Sequence, residues 1–365
     1  MRILHIIDTL SMGGAENVLV GLSSGQKERG HDVTIMPLVC GGQSIVRRKI
    51  ENNGISVIPF MEKGVVYNPF LIFKIARVLK QFDLVHVHLF PALYWAALAK
   101  IISSCKVPLV YTEHSTNNRR RSKKLLRLID NFIYKHGYKE IVACSEIVFK
   151  NYCNTFPGIK HVCVINNGVD TEVYREAKPY SKKELLGIDA DSFVVTMVAR
   201  FMSMKRQDTL VEAQAMLPPD VHIVFVGGED SDEGLIRVRK MAIELCVSDR
   251  THFLYLRDDV PRILKTSDVV VMASDYEGLS LSSIEGMAAG KPFVASDVDG
   301  LREVVSGAGV LFENGNSKAL AEVIKRLRYD SEFYYSTLRR CLNRSREFDI
   351  NTMVDGYLRV YESFI

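Results

Sequence analysis

Two carboxylates, Glu277 and Glu285, stand eight positions apart in Asp275-Tyr-Glu-Gly-Leu-Ser-Leu-Ser-Ser-Ile-Glu-Gly-Met-Ala-Ala-Gly-Lys-Pro292. Glu277 follows the apolar, strand-like run 269–273. Glu285 lies at the front of a short helical pattern that Gly290 and Pro292 close. A sheet covered by helices binds its ligands beyond the carboxyl ends of its strands, so both carboxylates are expected to face one crevice. Acceptor-only groups in such a place suit hydroxyl-rich ligands such as sugars and ribose. Ser282-Ser-Ile-Glu285 is equally a capping-box pattern, in which Glu285 would reach back to its own helix start and bind nothing else.

Cations occupy comparable places. Arg200 ends the apolar run 194–199, and Lys205 follows five residues later, before a helix expected near Gln207. A guanidinium fork and an ammonium at a strand end make a cradle for a diphosphate. A solvated surface pair would look the same. Ser11-Met-Gly-Gly-Ala-Glu16 follows the first apolar run and opens a helical pattern. Gly13 and Gly14 let the backbone come close to a ligand, and helix N-termini attract phosphate. The spacing is not G-x-G-x-x-G, so the dinucleotide fingerprint is missing. His114 ends the β-rich run 109–112, where an imidazole can orient a hydroxyl or a phosphate. His86 and His88 alternate on one strand face like half a metal site. No Asp or Glu near them completes it, so no metal is expected.

These groups need elements that hold them. Apolar runs at 2–8, 33–39, 56–60, 84–89, 108–112, 141–144 and 162–165 alternate with helical patterns at 16–29, 69–81 and 91–102. A second series reads as strands at 193–198, 222–226, 251–255, 269–272 and 292–295, again with helical stretches between them. Such alternation implies mostly parallel sheets covered by helices. A chain of 365 residues is long for one core, which favours two domains. The charged stretch 173–186, which holds Pro179, is the expected boundary or linker. The final stretch, 351–365, is helical in pattern.

Composition narrows the class. Apolar content of 47% and charged content of 25% suit a soluble globular chain. The seven cysteines are scattered without a Cys-x-x-Cys pair, which argues for a reducing compartment over a disulfide framework. The first residues turn polar too soon for a secretory leader, and the longest apolar run, 84–102, is interrupted by His86, His88, Pro91 and Lys100. Residues 1–166 hold 22 Lys+Arg against 11 Asp+Glu, while residues 167–365 hold 25 against 32. The basic half suits an anionic partner. Asn118-Arg-Arg-Arg-Ser-Lys-Lys-Leu-Leu-Arg-Leu-Ile129 places six cations before apolar residues at helical spacing, a pattern that can lie on an anionic bilayer. Aromatic residues are sparse there, so nucleic acid is not expected as a partner.

Taken together, Glu277-x7-Glu285 with Gly290-Lys-Pro, Gly300 and Glu303, Gly13-Gly-Ala-Glu16, Asn167-Gly-Val-Asp170, Val198-Ala-Arg200 with Lys205, and Phe225-Val-Gly-Gly228 resemble the retaining glycosyltransferases of GT-B fold, family 4 (group 1) type. The resemblance spans nearly the whole chain. It implies two Rossmann-like, doubly wound parallel-sheet domains facing across a cleft: an acceptor-side domain over 1–170, onto which helix 351–365 packs back, and a nucleotide-sugar domain over 171–350. It also implies roles. Glu285 would hold ribose hydroxyls and Glu277 the hydroxyls of the donor sugar. Arg200 and Lys205 would bind the diphosphate, helped by the backbone amides of Gly278, Leu279, Ser280 and Leu281. Gly13 and Gly14 would approach the sugar phosphate, and His114 would line the reacting centre. The implied reaction moves a sugar from a UDP- or GDP-linked donor to a glycan or lipid-linked acceptor without a metal or resident cofactor. With the basic region Arg119–Arg127, it points to the cytoplasmic face of a membrane. Tyr255 departs from the pattern, which usually has Gly there, close to the expected base pocket. A sugar-nucleotide epimerase or hydrolase of the same fold, or a non-catalytic binding subunit, would share most of these residues.

Overall fold

The computed structural model describes residues 1–11, 13–40, 42, 44–61, 64–115 and 123–365. It divides into two units, residues 1–168 with 350–365, and residues 169–349. In the first unit β1 (Arg2–Ile7), β2 (Asp32–Pro37), β3 (Ser56–Val57), β4 (Leu84–His88), β5 (Leu109–Glu113), β6 (Glu140–Ala143) and β7 (Val162–Val164) form a parallel sheet in the order β3-β2-β1-β4-β5-β6-β7. The order reverses between β1 and β4. That switch point opens a crevice beyond the strand ends, because the connections leaving the two strands run to opposite sides.

The strands are buried on both faces, as parallel strands must be. Leu4, Ile6, Val85, Val87, Leu109 and Tyr111 join one apolar cluster, with side chains of the helices Leu71–Val78 and Ala92–Ser103. His5, His86, His88 and Thr112 alternate with them and are also fully buried. Register makes them neighbours, since His5 pairs with His86 and His88 with Thr112 across adjacent strands. The helix Gly14–Glu28 and the terminal helix Ile350–Glu362 supply polar partners to this set.

The second unit repeats the plan. β8 (Phe193–Val198), β9 (Val221–Val226), β10 (Thr251–Phe253), β11 (Val269–Met272), β12 (Phe293–Ser296) and β13 (Val310–Phe312) run parallel in the order β10-β9-β8-β11-β12-β13, with the reversal between β8 and β11. The edge strand β13 carries no strong strand pattern: three residues follow Gly307 and Gly309, and only Phe312 is fully buried. The stretch 173–186 is not a free linker. It forms parts of two short helices, Thr171–Glu176 and Lys182–Leu186, anchored by the hydrogen bond from Tyr180 to Asp259 at 2.6 Å and by the ion pair of Lys182 with Asp268 at 2.7 Å.

Candidate functional site

In the second unit the expected groups gather at the β8–β11 switch point. β8 delivers Arg200 two residues past its end, exposed and without an ion pair among the described residues. A single 3-10 turn, Ser203–Lys205, then carries Lys205 back, and the amide of Asp275 donates to the Met204 carbonyl at 2.8 Å, joining this turn to the segment that follows β11. Lys205 Nζ meets Glu277 Oε1 at 2.5 Å, and Ser274 Oγ donates to the same oxygen at 2.8 Å. Both side chains of the pair are largely buried, at 16% and 11% exposure. The ammonium expected to bind phosphate and the carboxylate expected to bind sugar hydroxyls hold each other in place.

Gly300 is explained by this segment. A Cβ there would lie 2.2 Å from the Glu277 carbonyl oxygen, so only glycine lets the helix Asp299–Val305 pass so close.

The helix Leu281–Ala288 does not support the capping-box reading of Glu285. Its N-cap is Ser280, whose Oγ accepts from the Ser283 amide at 3.3 Å. Ser282 is therefore inside the first turn, and Glu285 is too far along to close a capping box. Its carboxylate instead accepts a hydrogen bond from the hydroxyl of Tyr174, whose phenol is raised well above its ordinary range by burial and then by that negative charge. Gly278 and Leu279 precede the cap, and Leu281 is the first helical residue.

Tyr255 has a backbone reason to be unusual. Its φ is +55°, in the left-handed region where glycine is easiest. Its hydroxyl donates to Asp230 at 2.8 Å and accepts from Arg239 at 2.7 Å, contacts a glycine could not make.

In the first unit Gly13 is the N-cap of helix Gly14–Glu28 and offers no side chain to the first amides. A Cβ on Gly13 would lie 2.5 Å from the Glu16 carboxylate, which Ser11 Oγ contacts at 3.0 Å. Asp8, just past β1, accepts from the Ala92 amide at 2.9 Å. Burial pushes its carboxyl up to about 7, and Glu16 adds to the rise. Nothing but its strand-end position marked Asp8 in the sequence.

His114 lies one residue beyond β5, and its Nε2 is 3.2 Å from His88 Nδ1. Burial lowers its pKa to about 4, so the ring is neutral near pH 7. His5 completes a set with His86 and His88 whose ring nitrogens lie within 4.8 Å of one another, a spacing that suits a metal ion. Sequence reading missed His5 because its strand is far away in the chain. All six of these nitrogens, however, already have protein partners: Gln26, His88, Tyr361, Thr112, His5 and His114.

Arg119, Arg120 and Arg121 lie outside the described residues. The described part of the basic segment begins at the exposed Lys123 and enters the helix Lys124–Gly137, which exposes Leu125, Leu128, Ile129 and Phe132 alongside Lys124 and Arg127. Among the described residues no helix is long and apolar enough to cross a membrane.

Two nucleotide-binding-type sheets, each with polar groups gathered at its switch point, define an α/β protein of Rossmann type. Residues 12–173 match the family model described as Glycosyltransferase Family 4, and residues 181–347 the model described as Glycosyl transferases group 1. The chain belongs to this family of glycosyltransferases and is an enzyme of GT-B architecture. It is 28% identical, over 87% of its length and 88% of the relative's, to the N,N'-diacetylbacillosaminyl-diphospho-undecaprenol alpha-1,3-N-acetylgalactosaminyltransferase of Campylobacter jejuni. It is also 28% identical, over 77% of its length and 76% of the relative's, to the UDP-Gal:alpha-D-GlcNAc-diphosphoundecaprenol alpha-1,3-galactosyltransferase of Escherichia coli. Its fold matches HepE from Anabaena, solved in complex with UDP and glucose, with a TM-score of 0.87 at 23% identity over all of both chains.

Proposed function

We propose that this enzyme transfers a sugar, with retention, from a uridine or guanosine diphosphate sugar to a lipid-linked glycan at the cytoplasmic face of a membrane, without a metal. The Lys205–Glu277 pair carries the reading. Departure of the sugar leaves negative charge on the diphosphate, and fixed cations aimed at that charge lower the barrier. Lys205 leaves Glu277 for the phosphate when the donor binds, and Arg200 supplies the second cation. Glu277 then accepts from the sugar hydroxyls, and Glu285, oriented by Tyr174, accepts from the ribose. The amides of Gly278–Leu281 face the phosphates. Gly13, Gly14 and His114 meet the transferred sugar.

Two relatives named for diphospho-undecaprenol substrates support the lipid-linked acceptor. The apolar stripe of Leu125, Leu128, Ile129 and Phe132 beside Lys124 and Arg127 supports the membrane surface, since an amphipathic basic helix lies at an anionic interface.

Calorimetry with UDP and GDP, with and without EDTA, tests the donor site. Binding of one nucleotide that survives EDTA and drops at least tenfold in Lys205→Ala is expected. Unaltered affinity in that variant refutes the phosphate role.

A further inference from the structure

A continuous hydrogen-bond chain runs through the first unit under the helices Gly14–Glu28 and Ile350–Glu362. Gln26 Oε1 is 2.8 Å from His5 Nε2, His5 Nδ1 is 3.1 Å from His88 Nε2, and His88 Nδ1 is 3.2 Å from His114 Nε2. On its other side Gln26 Nε2 is 3.3 Å from the Tyr361 hydroxyl, which is 2.6 Å from His86 Nδ1. His86 Nε2 continues to Thr112 Oγ1 at 2.7 Å, and Thr112 to the Tyr357 hydroxyl at 2.9 Å. Gln26, His5, His86, His88 and Thr112 are wholly buried.

Burial keeps all four rings neutral: His5 and His114 are lowered to about 4, and His86 and His88 well below their ordinary value. A neutral imidazole has one donor nitrogen and one acceptor. The chain can therefore be ordered in only two ways, one the reverse of the other. The orientation of the Gln26 amide, with its oxygen toward His5 and its nitrogen toward Tyr361, decides between them. The amide oxygen can only accept, so His5 carries its proton on Nε2. His88 must then donate from Nε2 to the bare His5 Nδ1, and His114 from Nε2 to the bare His88 Nδ1. The last nitrogen, His114 Nδ1, is left as a bare acceptor, sealed from solvent and without a partner among the described residues. On the other side the amide NH₂ donates to Tyr361, Tyr361 to His86, and His86 to Thr112.

We propose that Gln26 is a positioning residue that fixes the tautomer of His114 through His5 and His88, so that His114 offers an acceptor nitrogen at the strand end. The use of that acceptor by a sugar hydroxyl rests on the function proposed above and requires the bound ligand to displace the atoms that cover it; the tautomer itself rests on neither.

Nitrogen-15 NMR of the histidine-labelled full chain, without ligand at neutral pH, reads the tautomers. All four rings are expected protonated on Nε2, with the Gln26 amide protons close to the Tyr361 ring. Gln26→Met removes the acceptor and would leave His5 Nε2–H buried against a thioether. The chain is expected to reverse, moving at least half of His114 to the Nδ1–H form and lowering kcat/KM for the donor about tenfold. His114 on Nδ1–H in the unaltered protein, or Gln26 amide protons facing His5, overturns the proposal even if the variant does not fold. So does a folded Gln26→Met protein with every ring still on Nε2. A tautomer change without sugar transfer from any donor would uphold the relay and refute the function instead.

Discussion

Removing Lys205 should damage the protein twice, and the two effects separate. The ammonium is the only cation hydrogen-bonded to Glu277 among the described residues, and both side chains are largely withdrawn from water. Breaking a fully buried pair from one side costs about 3–5 kcal/mol, because the other charge is left stranded. Here Ser274 still donates to Glu277 and some solvent reaches it, so about 2–3 kcal/mol is expected for Lys205→Ala. For a unit of this size that lowers Tm by roughly 4–12 °C. Glu277→Ala should lose a similar amount, and the double variant should be much less unstable than the two losses added. A coupling above about 1 kcal/mol is expected, well beyond the scatter of independent sites. Catalysis is the second effect. A charge-assisted hydrogen bond to the departing diphosphate is worth about 1.5–3 kcal/mol, a factor of roughly 10–150 in kcat/KM. Thermal unfolding of the four proteins and steady-state rates measure both. Additive stabilities would show that the pair is not an energetic unit. A kcat/KM within threefold of the parent in Lys205→Ala would remove Lys205 from the reaction.

Tyr174→Phe keeps the ring and removes the hydroxyl that orients Glu285; a loss of about 1 kcal/mol in unfolding free energy and a raised KM for the donor are expected, and an unchanged KM counts against a ribose role for Glu285. Both Tyr255→Gly and Tyr255→Ala lose the contacts to Asp230 and Arg239, but only glycine relieves the φ of +55°, so the glycine variant should be the more stable by about 1 kcal/mol in denaturant unfolding, and equal stability would mean that the backbone relaxes. Asp8 has a folded pKa of about 7, above its unfolded value, so its contribution to stability is full below about pH 4 and is lost as pH rises through 7. Asp8→Asn does not titrate, and its stability relative to the parent should rise by about 2–3 kcal/mol between pH 5 and pH 8; a flat difference would mean that Asp8 is ionised throughout. Leu125→Ser with Phe132→Ser should reduce cosedimentation with anionic vesicles, and an unchanged pellet would move the membrane contact elsewhere.

Local signals made most of the architecture legible. Buried parallel strands are near-continuous apolar runs, and among the described residues twelve of the thirteen strands fall on runs read from the sequence; β13 fails because three residues between glycine-containing turns carry too little pattern. Helix starts carry a weaker local signal for a related reason. Ser282–Glu285 has the capping-box pattern, but Ser280 caps the helix two positions earlier. Backbone geometry also hides in the sequence: nothing in Phe253-Leu-Tyr-Leu-Arg257 announces a left-handed tyrosine, and only the resemblance to a glycine-bearing pattern marks the place.

The partners of the site residues leave no local signal, because each pair joins segments far apart in the chain. Lys205 meets Glu277 across 72 positions, and His86 meets Tyr361 across 275. Parallel sheets make this unavoidable, since each crossover separates neighbouring strands by a helix and its loops. Sequence therefore points to the ends of strands, where chemistry gathers, but the reversal of strand order decides which ends share a crevice. His86 and His88 illustrate the consequence. Read alone they are half of a metal-ligand pattern. Placed against β1 and the last helix, they become the middle of a chain whose direction one amide fixes. A neutral ring cannot donate from both nitrogens, so the order imposed at Gln26 reaches His114 by way of two intervening rings, and a residue with no place at the strand end still governs what that end offers a ligand.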